Sequence, residues 1–186
     1  MQVSAADLFC PSCGYALTDP MTRIRNQVSR CEEQGRWANA VRFRLELIDM
    51  AETPQERVEM HQQLGVIYEE RLGNLPEATA HYRQALSLEP MHMAVFRRLE
   101  LDLETQGHHQ AREKAYQHML QAMTSALGAA DTRLRLYCDL SALQLDVLKV
   151  PLRAIATLRE ALTHFPEEIL IHRGLAYAYA LSGDLE

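Results

Sequence analysis

The sequence predicts an all-α chain, an α-solenoid of stacked antiparallel helix pairs with a short cysteine-bearing segment in front. Three observations predict it. The 186 residues include 8 Gly and 7 Pro, about 8% against an average near 12%, which disfavours turn-dense sandwiches and barrels and favours long helices. Apolar residues recur at helical spacing, as in Leu64, Ile67, Tyr68 and Leu72 followed by Leu75, Ala78, Tyr82, Ala85 and Leu86, so two amphipathic stripes follow one another and should meet. The chain is also self-similar. His61, Leu64, Gly65, Tyr68, Ala78, Tyr82, Ala85 and Pro90 return 76 positions later as Tyr137, Leu140, Ser141, Gln144, Ala154, Leu158, Ala161 and Pro166. Large, small and helix-stopping residues keep register, the mark of a repeat architecture.

Composition narrows the function. Hydrophobic residues make up 47% and charged residues 24%, the balance of a folded chain rather than a disordered one. Lys+Arg 19 against Asp+Glu 25 gives a formal charge of −6, and no stretch is a basic run, so the electrostatic footprint of a nucleic-acid or anionic-membrane binder is missing. No apolar segment approaches the ~18 residues that span a bilayer, so membrane insertion is not expected. The opening Met1-Gln2-Val3-Ser4-Ala5-Ala6-Asp7 has neither the charged nor the apolar region of a signal peptide, and a cytoplasmic chain is expected. Its 4 cysteines do not form a secreted disulfide framework, and reduced thiols fit better.

Residues 1–20 carry Phe9-Cys10-Pro11-Ser12-Cys13-Gly14. A tight turn of this kind brings two thiolates to one side, so Cys10 and Cys13 are the candidate metal ligands and zinc the candidate cofactor. Continued to Leu17, the pattern resembles the second knuckle of a small zinc ribbon. Structural zinc takes four ligands, and a second Cys-x-x-Cys pair is absent from the sequence, so only half a site is legible. An upstream knuckle, Cys31 with a histidine, or a second chain are the ways to complete it, against an unmetallated remnant. A redox role is disfavoured because no strand pattern adjoins the pair.

Residues 21–186 hold the repeats. A first copy has Ile24, Cys31, Gly35, Trp37, Ala40 and Leu47. The clear copy spans Leu64 to Pro90. A weaker one runs from Phe96 and Leu99 through Leu103 and Gly107 to a helix near Gln110. The strong copy from Tyr137 follows, and the last has His172, Leu175, Ala176 and Tyr179 before Gly183. The order of a large residue, Leu-Gly and Tyr on one helix, then Ala, an aromatic, Ala and Pro on the next, resembles the tetratricopeptide repeat. Gly65 and Ala78 should allow close helix approach, Pro90 should stop its helix, and Gly73, Gly107, Gly128 and Gly183 should terminate theirs. Asp131 should cap a helix starting at Thr132. The last repeat stops after one helix, from which we expect a fragment of a longer protein or an open end that self-associates.

Catalytic signals are absent from the sequence. The histidines form no His-Glu-x-x-His pattern. His61 and His172 occupy large-residue positions of packed seams, and His108-His109 fall in a turn. No phosphate-binding glycine loop or Gly-x-Ser-x-Gly elbow occurs, and the pairs Glu32-Glu33 and Glu69-Glu70 read as solvated faces. The chain is therefore expected not to be an enzyme.

The resemblance implies a concave surface lined by the first helix of each repeat. On this chain it implies Gln62, Val66 and Glu69, then Arg97 and Leu101, then Arg135 with Cys138 and Ala142, and finally Arg173 and Tyr177. Arg97, Arg135 and Arg173 would pair with acidic side chains or a terminal carboxylate beside an apolar strip of Val66, Leu101 and Tyr177. The expected function is a non-enzymatic scaffold or adaptor that holds a protein or peptide partner in this groove. The alternative is a zinc-ribbon regulator that contacts nucleic acid and uses the repeats for assembly, against which the negative charge argues. The chaperone-tail clamp of some tetratricopeptide proteins is not expected, because Gly65 is followed by Val66.

Overall fold

In the computed structural model, residues 19–125 and 129–183 are described. Among them are nine α-helices and no strand, and the chain divides into two compact units, Met1–Glu89 and Pro90–Glu186. Each unit is built of antiparallel helical hairpins of the tetratricopeptide type, as the sequence predicts. Gly128 lies outside the described residues, as do Cys10 and Cys13.

The first unit contains α1 (Pro20–Glu33), α2 (Trp37–Met50), α3 (Pro54–Glu70) and α4 (Leu75–Leu88). Three of its helices, α1, α3 and α4, start where a short polar side chain precedes a proline, whereas α2 follows Arg36 without a side-chain cap. The Asp19 carboxylate accepts from the Thr22 N–H at 3.0 Å, and Pro20 follows, where its missing N–H costs nothing. Thr53 and Glu56 form a reciprocal capping box in front of Pro54. Asn74 accepts from the Glu77 N–H ahead of Pro76. Between paired helices the chain reverses at Gly35 and Gly73, with φ of 67° and 62°, the left-handed region that favours glycine. The α1–α2 core is Val28, Leu47 and Ala51 with Met60 of α3. A second cluster joins Val41 to Leu64 and Ile67, flanked by Trp37, Ile48 and Tyr68.

The α3–α4 seam is a close approach. A side chain at Gly65 would overlap the ring of Tyr82, which is fully buried beside Ala78 and Ala85. The hydroxyl of Tyr82 escapes burial cost by donating to Glu69 Oε2 at 2.5 Å.

The second unit contains α5 (Met93–Thr105), α6 (His109–Ala122) with a 3₁₀ turn at Met123–Ser125, α7 (Ala130–Ala142) ending in a π turn at Leu143–Val147, α8 (Pro151–His164) and α9 (Ile169–Ser182). Phe96 and Tyr116 meet edge to face across α5–α6, with ring centres 5.2 Å apart. Tyr137, Leu140, Ala154, Leu158 and Ala161 form the α7–α8 seam, all buried. On α9, Ile171, Leu175 and Ala178 are buried.

The repeat reaches down to single hydrogen bonds. In the second hairpin Leu72 N–H donates to the Ile67 carbonyl at 3.1 Å and Asn74 N–H to that of Tyr68 at 2.8 Å. In the fourth, Leu148 N–H donates to Leu143 at 3.0 Å and Val150 N–H to Gln144 at 2.8 Å. The residue at the left-handed position is Gly73 in one and Lys149, φ 56°, in the other.

Four sequence expectations are corrected. The Asp131 cap is not formed: the helix begins at Ala130, Ala129 occupies the cap without a side-chain bond, and Asp131 lies within the first turn, where a carboxylate still favours the positive helix end. His172 is exposed rather than seam-packed, with Nε2 2.8 Å from the Pro166 carbonyl oxygen. Glu32 is half-buried against Arg44 at 2.7 Å, and Glu69 is held by Tyr82, so neither pair is a purely solvated face.

Two outcomes follow from this packing. Gly65→Ala should destabilise the chain by about 1–3 kcal/mol because the Tyr82 ring must move, although Gly to Ala in an open helix stabilises by about 1 kcal/mol; chemical denaturation reads the sign. Lys149→Gly should stabilise by roughly 0.5–1 kcal/mol, since left-handed backbone costs a side-chain-bearing residue more than the entropy glycine gives up, visible as a raised unfolding temperature.

Candidate functional site

In the first unit α2 and α3, with the end of α1, form an open cleft of about 410 Å³. Its walls are Glu32, Trp37, Arg44, Glu59, Gln62, Gln63, Val66, Ile67, Glu70 and Arg71. Helical spacing explains the set from α3: residues 59, 62, 63, 66 and 70 recur at three- and four-residue steps and share one face. Arg44 is fixed in place by Glu32, with Nε at 2.9 Å and a second nitrogen at 2.7 Å from Oε1, and it also donates to Gln63 Oε1. The Arg71 guanidinium lies 5.0 Å from the centre of the Trp37 ring, a cation–π contact that holds the indole at the cleft.

Of the residues expected to line a groove here, Gln62 and Val66 do line the cleft. Glu69 is turned the other way, to the Tyr82 hydroxyl of α4. Gln62 and Glu59 make no hydrogen bond among the described residues, and Glu59 is exposed. Trp37, Arg44, Glu59 and Arg71 belong to the cleft without having been singled out for it. Trp37 is the one tryptophan in the sequence, which was the available signal, but it reads there as a repeat position.

In the second unit the expected residues fall into two groups. Arg97 is engaged: its guanidinium reaches Glu100 Oε2 at 2.7 Å and Asp139 Oδ2 at 3.3 Å and leans over Phe96, 5.7 Å from the ring centre. Arg135 and Arg173 are exposed and form no ion pair among the described residues. Leu101 and Tyr177 are 56% and 52% exposed, as fits residues offered to solvent or a partner. Ala142 is exposed and Cys138 half-buried. Burial pushes the Cys138 thiol up, helped by Asp139 and Glu168, so it is a poor nucleophile.

Glu100 is the hub that takes Arg97 out of play. It accepts from Arg97, from Arg112 at 2.8 Å and from the Tyr116 hydroxyl. Burial would raise its carboxyl, but the bonds from Tyr116, Arg112 and Arg97 outweigh burial and hold it below the usual range. Burial and the bond to Glu100 push the Tyr116 phenol far up. Tyr137, buried and donating to Glu160 Oε1 at 3.0 Å, is pushed up to about 12. A second polar knot centres on the buried Glu113 and Gln144, with Arg153 reaching in from the surface. Glu113 accepts from Gln144 at 2.9 Å and Arg153 at 2.9 Å, and Thr157 donates to Gln144 at 2.9 Å. Such networks of buried polar groups set helix register.

No group of three or more His, Cys, Asp or Glu side chains among the described residues is placed to hold a metal ion. Cys31, one of the ways to complete the Cys10–Cys13 half-site, is buried in the first unit. No described helix is long and apolar enough to cross a membrane.

No protein-family model matches this chain, and no curated protein matches it. Solved structures do. A crystal structure of MamA protein is 18% identical, covers 88% of this chain and 83% of its own, and has a TM-score of 0.48. MamA 41-end from Desulfovibrio magneticus RS-1 is 22% identical over 91% of this chain and 89% of its own, TM-score 0.46. A chain of the Naa15/Naa10 structure bound to HypK-THB is 17% identical over 90% of this chain, TM-score 0.53, and this chain spans 24% of its length. At 17% identity the likeness to the Naa15/Naa10 chain speaks to fold alone, the tetratricopeptide-type array of helical hairpins.

Proposed function

We propose that this chain is a non-enzymatic protein-interaction scaffold that holds a partner segment on the exposed faces of its first-of-pair helices. One observation carries the reading: the cleft of the first unit sets apolar Val66 and Ile67 and the indole of Trp37 beside Gln62 and Glu59. An apolar floor with a few polar groups that converge on it is the composition of a peptide-binding site, where side-chain burial supplies affinity and carboxamides bond the backbone.

The second unit suits a different stretch of partner. Arg135 and Arg173, with Leu101 and Tyr177 exposed, fit a segment that alternates acidic and apolar residues. Arg97 belongs to the internal ion pairs and contributes by positioning. The reading includes a cytoplasmic setting, with which the unpaired Cys31 and Cys138 agree. Zinc at Cys10 and Cys13 stays a proposal for the N-terminal segment, and it needs two further ligands.

A second reading, self-association through α9, has its own observation: Ile169, Leu170, Tyr177 and Leu181 are 69%, 56%, 52% and 49% exposed on one helix.

Partner capture by the full chain, read by quantitative mass spectrometry, tests the leading proposal. Trp37→Ala with Gln62→Ala, and separately Arg135→Glu with Arg173→Glu, should each weaken capture on the order of tenfold or more; capture equal to the parent chain in both refutes it. Sedimentation tests the second reading. Mass should grow with concentration and stop doing so in Ile169→Glu with Leu181→Glu, and a constant monomer mass refutes self-association.

A further inference from the structure

We infer that His61 and His81 form a proton-operated latch that holds α3 on α4 and, through α3, makes the geometry of the cleft sensitive to pH. The two Nδ1 atoms are 3.0 Å apart, with ring centres at 5.3 Å and planes tilted by 34°. Tyr68 stacks on His81 at 5.4 Å, nearly parallel. Both imidazoles are half-buried.

That contact requires one proton between two nitrogens. One ring carries its hydrogen on Nδ1 and donates; the other carries it on Nε2 and accepts. A first added proton goes to the free Nε2 of the donor ring and leaves the bond intact, now charge-assisted. A second added proton has only the acceptor's Nδ1, whose lone pair is the bond itself, so its uptake breaks the latch and sets two cations side by side.

The neighbours do not relieve this. From α4 the facing charge is Glu77, which raises His81, though less than burial and His61 lower it. From α3 the facing titratable group is Tyr68, which burial and Glu77 push up. From α2 the charge set against α3 is Arg44, already held by Glu32 and Gln63. Burial lowers His61 below its ordinary 6.5. Because both imidazoles are lowered in the folded chain, the folded state is fully favoured above pH 6.5, and that advantage is lost as pH falls below it.

His61 precedes Gln62 on the helix that supplies Gln62, Gln63 and Val66 to the cleft, so a loosened α3 moves the cleft wall. The effect on partner binding rests on the cleft reading above; the latch itself does not.

Three measurements on the full chain test it. Nitrogen NMR at about pH 7.5 should find one of the two rings protonated at Nδ1 and the other at Nε2. Between about pH 7.5 and 5 the parent chain should lose roughly 2–4 °C more in unfolding temperature than His61→Gln with His81→Gln. Emission of Trp37, the single tryptophan, should change with a midpoint below 6.5 in the parent and stay level in the variant. Both rings in the same tautomer, or parallel unfolding curves, overturn the latch; an unfolding difference without an emission change overturns its link to the cleft. If the double variant does not fold, the tautomers of the parent decide. Failure of partner capture at every pH would sink the scaffold reading and leave all three readouts intact.

Discussion

The closeness of α3 to α4 governs the first unit. Gly65 leaves open the space that the Tyr82 ring fills, and from that contact the rest of the hairpin takes its register. Tyr82 reaches Glu69, His61 reaches His81, and Tyr68 lies over the same imidazole. With one face of α3 committed to α4, its other face must turn outward, and Gln62 and Val66 arrive at the cleft with Glu59. A small residue opposite a large one thus positions both the core and the site, because interiors pack at crystal density and leave little slack.

The second unit solves the same packing problem with polar knots. Glu100 gathers Arg97, Arg112 and Tyr116, and Glu113 gathers Gln144 and Arg153. Breaking one partner of such a knot leaves a buried charge, so the knots restrict how α5 to α8 pack. They also sort the arginines. Those drawn into the knots are structural, and Arg135 and Arg173, exposed on α7 and α9, remain for a partner. Charge sign was visible along the chain; which charges were already spent was not.

Much of the fold was legible. The 76-residue return of large, small and stopping residues foretold equivalent hairpins, and the bonds that close those hairpins repeat with the same offset. Glycines at 73, 107 and 183 end helices in the left-handed region as expected. The site was legible in part. Gln62 and Val66 follow from their place on α3, but Trp37, Arg44 and Arg71 come from residues read as repeat positions or not at all, because a cleft gathers side chains from helices that sequence spacing cannot align.

The sequence by itself determined what period dictates: helices, the glycines that end them, and the apolar stripes that must be buried, whereas the caps at Asp19, Thr53 and Asn74 came from the structure. Only the tertiary structure decided which polar groups meet. It joined His61 to His81 and Glu69 to Tyr82, drew Arg97 inward and left Arg135 outside. The reason is physical: burial of an apolar stripe depends on spacing within one helix, whereas a hydrogen bond or ion pair depends on atoms from different helices arriving within about 3 Å of each other.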